Sequence, residues 1–310
     1  MLAAFKSVVK ELPGLRDIVG ERDRLLVELE AIKRTISFAP PGHFYSPLPS
    51  IDAVRGEEAR LFAAAGREIA GVDMREAEQL ALLRAFEPFY QEMPFGPDRK
   101  DGWRYYFENP AYSYSDAVFL YCMIRSCQPR HIIEVGSGFS SCVTLDTNER
   151  YFGNSIETTF VEPYPDLLHS LLKPGDRERA RIIPARLQDV PLEEFDGLEA
   201  NDILFIDSTH VAKIGSDVNY ILFEILPRLS QGVYVHFHDI FFPFEYPREW
   251  IYEGRAWNEC YVLRAFLQYN SSFSIVLMNT FLQHFHRDYF ADHMPLCLKN
   301  TGGSIWLRKH

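Results

Sequence analysis

From about residue 114 onward, the chain alternates short apolar runs with segments of helical periodicity. Strands that alternate with helices build right-handed βαβ units, and these units assemble into a largely parallel sheet. The pattern therefore predicts an α/β domain over residues 114–310. The predicted strands are 131–135, 158–162, 180–184, 202–207, 232–238, 273–279 and 304–308.

The preceding residues fall into three zones of different composition. Residues 1–37 are rich in charge and helical in period, and residues 38–56 hold four prolines without periodicity. Residues 57–113 return to a helical pattern and then become aromatic and rich in turns. We therefore expect a helical segment, a proline-rich linker, and a helical and aromatic extension or lid before the α/β domain.

The first zone carries a heptad pattern, which is typical of coiled coils. Two interpretations stay open: a helix that joins two copies as a homodimer, and a helix that packs on its own domain. The pattern places Leu15, Arg22, Leu29 and Ile36 at a, and Ile18, Leu25 and Ile32 at d.

Charge and cysteine content narrow the class of partner. Acidic residues outnumber basic ones by 43 to 32, for a net charge of −11, whereas proteins that grip phosphate backbones usually carry the opposite sign. The five cysteines form no C-x-x-C pair, and no apolar stretch suits a membrane span or a secretory signal. We expect a cytoplasmic protein that binds neither nucleic acid nor membrane.

A glycine turn follows the first predicted strand, in the sequence Ile-Glu-Val-Gly-Ser-Gly-Phe-Ser-Ser over residues 133–141. The glycines allow a sharp turn and close approach to a ligand at the start of the next helix. Glu134 would repel a pyrophosphate but would suit an amine-bearing ligand, and Ser141 stands where a dinucleotide fingerprint has its third glycine. Glu162 closes the second strand, where an acid can accept two ribose hydroxyls.

The glycine turn with Glu134 before it and Glu162 after it resembles the class I S-adenosylmethionine-dependent methyltransferases over about residues 110–310. The resemblance implies a Rossmann-like, doubly wound, mostly parallel seven-stranded sheet with an antiparallel last strand, here 304–308. It also implies S-adenosylmethionine as the cofactor. The cofactor-binding positions that it implies are Glu134, Gly136, Ser137, Gly138, Ser140, Glu162, Gln188, Asp189 and Asp207.

The ends of the fourth and fifth strands carry Asp207-Ser208-Thr209-His210 and His238-Asp239. This arrangement is similar to the methyltransferases that act on hydroxyls of sugars and small molecules. The resemblance implies His210 as a general base, neutral near pH 7, with His238 and Asp239 as further catalytic residues. It also implies Asp207, His238 and Asp239 as ligands of a divalent ion such as Mg or Mn. His238 departs from the acidic or amide residue of metal-dependent relatives, so a role for His238 in orienting Asp239 or the substrate stays open.

These features predict an O-methyltransferase that acts on a hydroxyl of a saccharide or other small polar acceptor. The aromatic residues within 241–252 are expected either to form a wall for that acceptor or to pack against the N-terminal region. Two alternatives stay open: an NAD(P)-dependent oxidoreductase on a similar fold, and a non-catalytic binding or scaffold protein.

Overall fold

Seven β-strands form one sheet in the order β3-β2-β1-β4-β5-β7-β6. The strands β1 to β5 pair in parallel, while β7 lies antiparallel between β5 and β6. This arrangement confirms the predicted mostly parallel, seven-stranded sheet with an antiparallel last strand. The strands are β1 (His131–Val135), β2 (Glu157–Val161), β3 (Arg181–Ile183), β4 (Ile203–Ile206), β5 (Tyr234–His238), β6 (Phe273–Met278) and β7 (Ser304–Lys309).

The central strands are predictable because they are short runs rich in apolar residues. All four residues of β4 are buried, as expected for a parallel strand whose two faces are both covered. The bounds of β1 agree with the prediction, and the ends of the other strands shift by one or two residues. The parallel register places the carboxyl ends of β1, β2, β4 and β5 at one edge of the sheet, where ligands bind in open α/β folds.

Helices connect and flank the strands. A helix over Ser115–Cys127 precedes β1, and the helical segment that begins at Asp217 continues into a π-helical turn, Ile221–Ile225, just before Pro227. Short 3₁₀ turns occupy Leu187–Asp189 and Pro295–Leu298. The α-helices are α1 (Pro13–Thr35), α2 (Ile51–Gly56), α3 (Glu58–Leu61), α4 (Glu76–Gln91), α5 (Ser115–Cys127), α6 (Phe139–Tyr151), α7 (Asp166–Leu171), α8 (Asp176–Arg179), α9 (Glu193–Asp196), α10 (Asp217–Tyr220), α11 (Leu226–Arg228), α12 (Arg248–Tyr252), α13 (Glu259–Leu267), α14 (Asn279–Phe285) and α15 (Arg287–His293).

This computed structural model describes residues 13–35, 38–64 and 66–310. The chain divides into two compact units between Ala63 and Ala64. The first unit includes α1, α2 and α3, so part of the predicted linker 38–56 is helical. Among the described residues, no helix combines the length and the apolar character that crossing a membrane requires.

The second unit starts at Ala64, whereas the sequence places a domain boundary at 113/114. Buried polar contacts explain this difference, because they tie the segment before α5 to the sheet. The Oε1 atom of Gln79 in α4 accepts a hydrogen bond from the backbone N–H of Met278 at 2.8 Å. The buried Arg104 guanidinium forms ion pairs with Asp146 of α6 and Asp176 of α8.

Candidate active site

The glycine turn after β1 brings the ends of β1 and β4 into contact. Gly136 has a φ of +78°, and a Cβ atom at this position would lie 2.0 Å from the carbonyl oxygen of Asp207. The backbone N–H of Asp207 in turn donates to the carbonyl of Val135 at 2.8 Å. Only glycine fits this backbone conformation and this spacing.

Glu134 is a fully buried carboxyl group directly beneath this turn. Its Oε1 atom accepts hydrogen bonds from the hydroxyls of Ser140 and Ser141, at 2.6 and 2.8 Å. Its Oε2 atom is buried and has no hydrogen-bond partner in the described part of the chain. Burial, reinforced by the negative charges of Asp207 and Glu162, outweighs the two hydroxyl bonds and raises the pKa of Glu134 to about 8.

A cavity of about 400 Å³ opens beside the turn, at the carboxyl ends of β1, β2 and β4. Glu162 lines it, and the Glu162 carboxylate accepts hydrogen bonds from the backbone N–H groups of Ser137 at 3.2 Å and Tyr164 at 2.8 Å. Further lining residues are Gly136, Tyr164, Leu187, Gln188, Asp207 and Asp217. The predicted positions Glu134, Gly136, Glu162, Gln188 and Asp207 thus lie in or directly beside one cavity.

Asp189 is placed differently from the other predicted cofactor-binding residues. Its carboxylate pairs with the exposed Arg186 guanidinium, at 2.8 and 3.0 Å, and does not line the cavity. The side chain of its neighbour Gln188 donates to the carbonyl of Gly215 at 2.8 Å and remains in the lining. The 3₁₀ turn Leu187–Asp189 therefore presents only the first two of its side chains to the cavity.

The ends of β4 and β5 bring two imidazoles and two carboxylates together, as the sequence predicts. The Nε2 atom of His210 lies 3.4 Å from Asp207 Oδ1 and 3.6 Å from Asp239 Oδ2. The Nδ1 atom of His238 lies 3.5 Å from Asp207 Oδ1 and 3.7 Å from Asp239 Oδ1. His210 and Asp239 both adopt positive φ angles, of +60° and +56°, which turn the chain sharply at these strand ends.

The carboxylates around both imidazoles control their protonation. Burial alone would lower the pKa of His210, but hydrogen bonds to Asp207 and Glu259 outweigh it and raise this pKa to about 10. Burial likewise opposes the charges of Asp207 and Asp239 at His238, whose pKa is still raised well above its ordinary value. At Asp207, the two imidazolium charges outweigh burial and lower the pKa of the carboxyl group. Both histidines are therefore cations at neutral pH, in contrast to the neutral His210 expected from the sequence.

Three further residues complete this cluster. Glu259, at the start of α13, accepts from His210 Nδ1 at 2.8 Å, and the ring of Trp257 lies 4.4 Å from the His210 ring, centroid to centroid. Asp116 of α5 lies 3.5 Å from the Nε2 atom of His238. The sequence pattern alone does not place these residues in the charged cluster. The one signal at Glu259 is an acidic residue at the start of an otherwise apolar helical pattern.

Ser141 also belongs to the site, although the sequence pattern does not indicate its role. In the sequence it stands out only as the position where a dinucleotide fingerprint would have glycine. Its hydroxyl both donates to Glu134 and accepts the backbone N–H of Gly138, at 2.8 and 3.1 Å. It therefore fixes the acid relative to the turn.

Aromatic rings surround the His210 side of the cluster. Trp257 contacts Trp250 and Tyr246 edge-on, with centroid distances of 5.3 and 5.9 Å. Trp250 and Tyr246 belong to the aromatic segment 241–252, which is expected either to form an acceptor wall or to pack against the N-terminal region. Their contact with Trp257, which lies against the His210 ring, brings this segment close to the charged cluster.

The predicted metal ligands are close together but are arranged as ion pairs. Within residues 13–35, 38–64 and 66–310, no group of three or more His, Cys, Asp or Glu side chains could hold a metal ion. The imidazole-to-carboxylate distances of 3.4 to 3.7 Å are those of charge pairs. A divalent ion at Asp207, His238 and Asp239 stays a prediction.

Residues 133–240 match a family model described as a methyltransferase domain. The matched range begins in β1 and ends just after Asp239, so it contains the glycine turn, Glu162 and both charged strand ends. The chain belongs to the class I S-adenosylmethionine-dependent methyltransferases. This match sets aside the two alternatives, an NAD(P)-dependent oxidoreductase and a non-catalytic binding or scaffold protein, because the family model describes a methyltransferase domain.

One relative matches more than half of the chain. An uncharacterized protein of Archaeoglobus fulgidus is 34% identical over 185 residues, which are 58% of this chain and 82% of the relative.

Solved structures show a more distant likeness. The O-methyltransferase TomG of Streptomyces achromogenes, involved in tomaymycin synthesis and in complex with S-adenosylmethionine, is 15% identical with a TM-score of 0.43. It covers 83% of this chain and 96% of its own. An O-methyltransferase of Bacillus cereus, in complex with S-adenosylhomocysteine, is 14% identical with a TM-score of 0.42, over 83% of this chain and 97% of its own.

Proposed function

We propose that the methyltransferase transfers a methyl group to a hydroxyl of a saccharide or other small polar acceptor, with His210 as the general base. The observation that carries this proposal is the environment of His210. Its Nδ1 atom is held by Glu259, and its Nε2 atom faces Asp207 and Asp239 at the crevice edge of the sheet.

The cavity beside the glycine turn fits S-adenosylmethionine. The unpartnered Oε2 atom of Glu134 suits the ammonium group of the methionine moiety, and Gly136 and Gly138 leave the backbone free of side chains there. Ser137, between them, donates its backbone N–H to Glu162. Ser140 acts through Glu134, to which its hydroxyl donates. Glu162, at the end of β2, is the residue proposed to accept the ribose hydroxyls, and Gln188 and Asp207 line the same cavity. Asp189, which pairs with Arg186, has no place in this proposal.

The bound cofactor supplies a methyl group made electrophilic by its sulfonium sulfur. An alcohol is a poor nucleophile while it keeps its proton, so a base in the crevice is required. His210 Nε2 accepts the hydroxyl proton as the oxygen–methyl bond forms and the sulfur–methyl bond breaks. Because its pKa is raised to about 10, His210 must first lose the proton that it carries at neutral pH. We therefore expect the rate of methyl transfer to rise with pH between 7 and 10.

His238 and Asp239 are proposed to position the acceptor. His238 is held between Asp116 on one side and Asp207 and Asp239 on the other, which fixes the orientation of its ring. Asp239 can accept a hydrogen bond from a second hydroxyl of the acceptor. A Mg or Mn ion at Asp207, His238 and Asp239 would serve the same purpose, and chelator treatment followed by re-addition of each ion tests that alternative.

We propose that the enzyme works in the cytoplasm and acts on a small molecule. All five cysteines are free thiols, and four of them are buried, which fits a reducing compartment. The net charge of −11 opposes binding to nucleic acid.

The proposal is tested by transfer of tritiated methyl from S-adenosylmethionine to a panel of free sugars, glycosides, catechols and simple polyols. We expect one class of hydroxyl acceptor to be labelled, and transfer only to amines or thiols would overturn the proposal. His210→Gln should lower kcat roughly 10²- to 10⁴-fold, while the calorimetric Kd for S-adenosylmethionine stays within about threefold. A matched control is His293→Gln, on the half-exposed surface of α15. Equal loss of cofactor binding and turnover in His210→Gln would contradict its role as base.

A further inference from the structure

Helix α1 exposes a stripe of large apolar side chains. Ile18, Leu25, Leu29 and Ile32 retain 62, 55, 44 and 55% of their accessible surface. In proteins, most of the stability of a helix such as this one of 23 residues comes from an apolar face packed against another element. A stripe left this exposed on a helix indicates a surface that another chain covers.

The spacing of the stripe fits one kind of partner. Ile18, Leu25 and Ile32 recur every seven residues, and Leu29 occupies the other apolar heptad position between the last two. This is the a/d seam of a two-stranded coiled coil. The seam residues Ile18, Leu25 and Leu29 line a shallow groove along the helix, together with Leu26, Glu21 and Arg22. Leu15 and Ile36, the outer a positions, lie outside the residues whose side chains are described.

The charges beside the seam specify orientation. In a parallel coiled coil, residues at g face residues at e of the next heptad in the other chain. Glu28 occupies g and Lys33 occupies e, so two copies in register would form this pair twice, with opposite charges each time. Lys33 pairs within its own helix with Glu30 at 3.2 Å, but both side chains are about 60% exposed and can rearrange.

The polar residue in the seam is compatible with the same orientation. Arg22 occupies an a position, and the neighbouring g position in the second copy is Glu21. Each Arg22 can therefore reach a carboxylate across the seam. Its present partner, Asp23, lies on the same helix, and both side chains are more than half exposed.

We propose that α1 pairs with α1 of a second copy of this chain, in parallel and in register, so that the methyltransferase is a homodimer. The proposal stands on the exposed seam and its charges, and it is independent of the acceptor and of the role of His210.

The test is sedimentation velocity of the full-length chain over a series of concentrations. We expect a concentration-dependent dimer that Leu25→Asp abolishes, because a carboxylate would be placed in the apolar seam. A wild-type chain that stays monomeric, or a dimer unaffected by Leu25→Asp, would overturn the proposal. The thermal midpoint of the catalytic unit verifies that Leu25→Asp has not unfolded the protein.

Charge reversal tests the parallel pairing. Glu28→Lys and Lys33→Glu each create like-charge pairs and should weaken the dimer by roughly tenfold. An equimolar mixture of these two variants restores both opposite-charge pairs and should form heterodimers. The double variant also restores both pairs and should form a homodimer. The control is Arg34→Glu, which reverses a charge at the f position, outside the seam. Failure of the mixture to recover the wild-type Kd would rule out the parallel, in-register pairing.

Discussion

The Nδ1 atom of His210 lies 2.8 Å from the Oε2 atom of Glu259, a carboxylate that is only 1% exposed. The other oxygen of Glu259 accepts the hydroxyl of Ser208 at 2.9 Å. Both oxygens are thus engaged, which fixes the plane of the carboxylate and, through it, the His210 ring. Because Nδ1 is bound in this way, Nε2 is the atom presented to Asp207 and Asp239.

We expect Glu259→Gln to lower kcat roughly 10²-fold or more, because an amide can hold His210 in the wrong tautomer. KM for the acceptor and Kd for S-adenosylmethionine should change by less than about threefold, since Glu259 would contact neither. Partial recovery of kcat in Glu259→Asp would distinguish orientation of His210 from a general effect on folding. The matched control is Glu253→Gln, whose carboxylate is exposed and pairs with Arg255. A kcat for Glu259→Gln close to that of the wild type would refute this positioning role.

The sequence predicts those parts of the site that directly follow a recognisable strand. β4 is recognisable as a continuous apolar run and β1 as a short run rich in apolar residues, and the residues that follow parallel strands lie at the carboxyl edge of the sheet. Asp207 and His238 are therefore found together without knowledge of any side-chain contact. The sharp turn after β1 is similarly predictable from Gly136, because glycine readily adopts the positive φ angle that this turn requires.

Glu259, Trp257 and Asp116 illustrate what local pattern does not predict. Glu259 is 49 residues from His210 in the chain, and only the packing of α13 against the end of β4 brings them together. Asp116 reaches His238 from a helix that precedes the sheet. Protonation depends on the same packing. His210 was expected to be neutral because the ordinary pKa of histidine lies just below 7. The two carboxylates that raise this pKa, Asp207 and Glu259, come from separate segments of the chain.

Glu134 should make cofactor binding release a proton. With a pKa raised to about 8, Glu134 is mostly protonated at pH 7 in the free protein. An ammonium group beside Oε2 favours the charged carboxylate, so S-adenosylmethionine should displace close to one proton on binding. Calorimetric titrations in buffers with different ionisation enthalpies measure that number. We expect Glu134→Gln to abolish the release and to weaken binding roughly tenfold. Binding heats independent of the buffer in the wild type would contradict this assignment.

The same carboxyl group should influence the pH dependence of stability. Between the ordinary pKa of 4.5 and the folded value of about 8, the folded state keeps a proton that the unfolded state has lost. The free energy of unfolding contributed by Glu134 therefore falls as pH rises through this window and levels off above it. The thermal midpoint of the wild type should decline relative to that of Glu134→Gln between pH 5 and pH 8. Parallel profiles for the two proteins would argue against a raised pKa.

Gly136 and Gly138 form a matched pair of substitutions in one turn. Gly136→Ala places a Cβ 2.0 Å from the Asp207 carbonyl oxygen at a φ of +78°, so we expect a loss of about 2–4 kcal/mol in stability. Gly138→Ala meets only a methyl of Leu167 at 3.4 Å, and its extended φ of −176° suits any residue. Its stability should stay within about 1 kcal/mol of the wild type. Similar unfolding midpoints for the two variants would show that β4 can move away from the turn.

Arg104 should be a major source of stability in the second unit. Its guanidinium is almost fully buried and donates to Asp146 at 2.6 Å, to Asp176 at 2.5 and 2.7 Å, and to Glu149 at 2.8 Å. Arg104→Met leaves two buried carboxylates without this cation, and removal of one partner from a buried ion pair costs about 3–5 kcal/mol.

The control for this substitution is Arg228→Met, which removes an exposed ion pair with Asp196 and should cost no more than about 1 kcal/mol. Urea unfolding followed by tryptophan fluorescence compares the two variants, because Trp103 precedes Arg104 directly and Trp250 and Trp257 report on the cluster around His210. We expect the Arg104→Met midpoint to fall several times further than that of Arg228→Met. Equal midpoints would mean that Lys173, 3.5 Å from Asp146 and 3.0 Å from Glu149, replaces the missing charge.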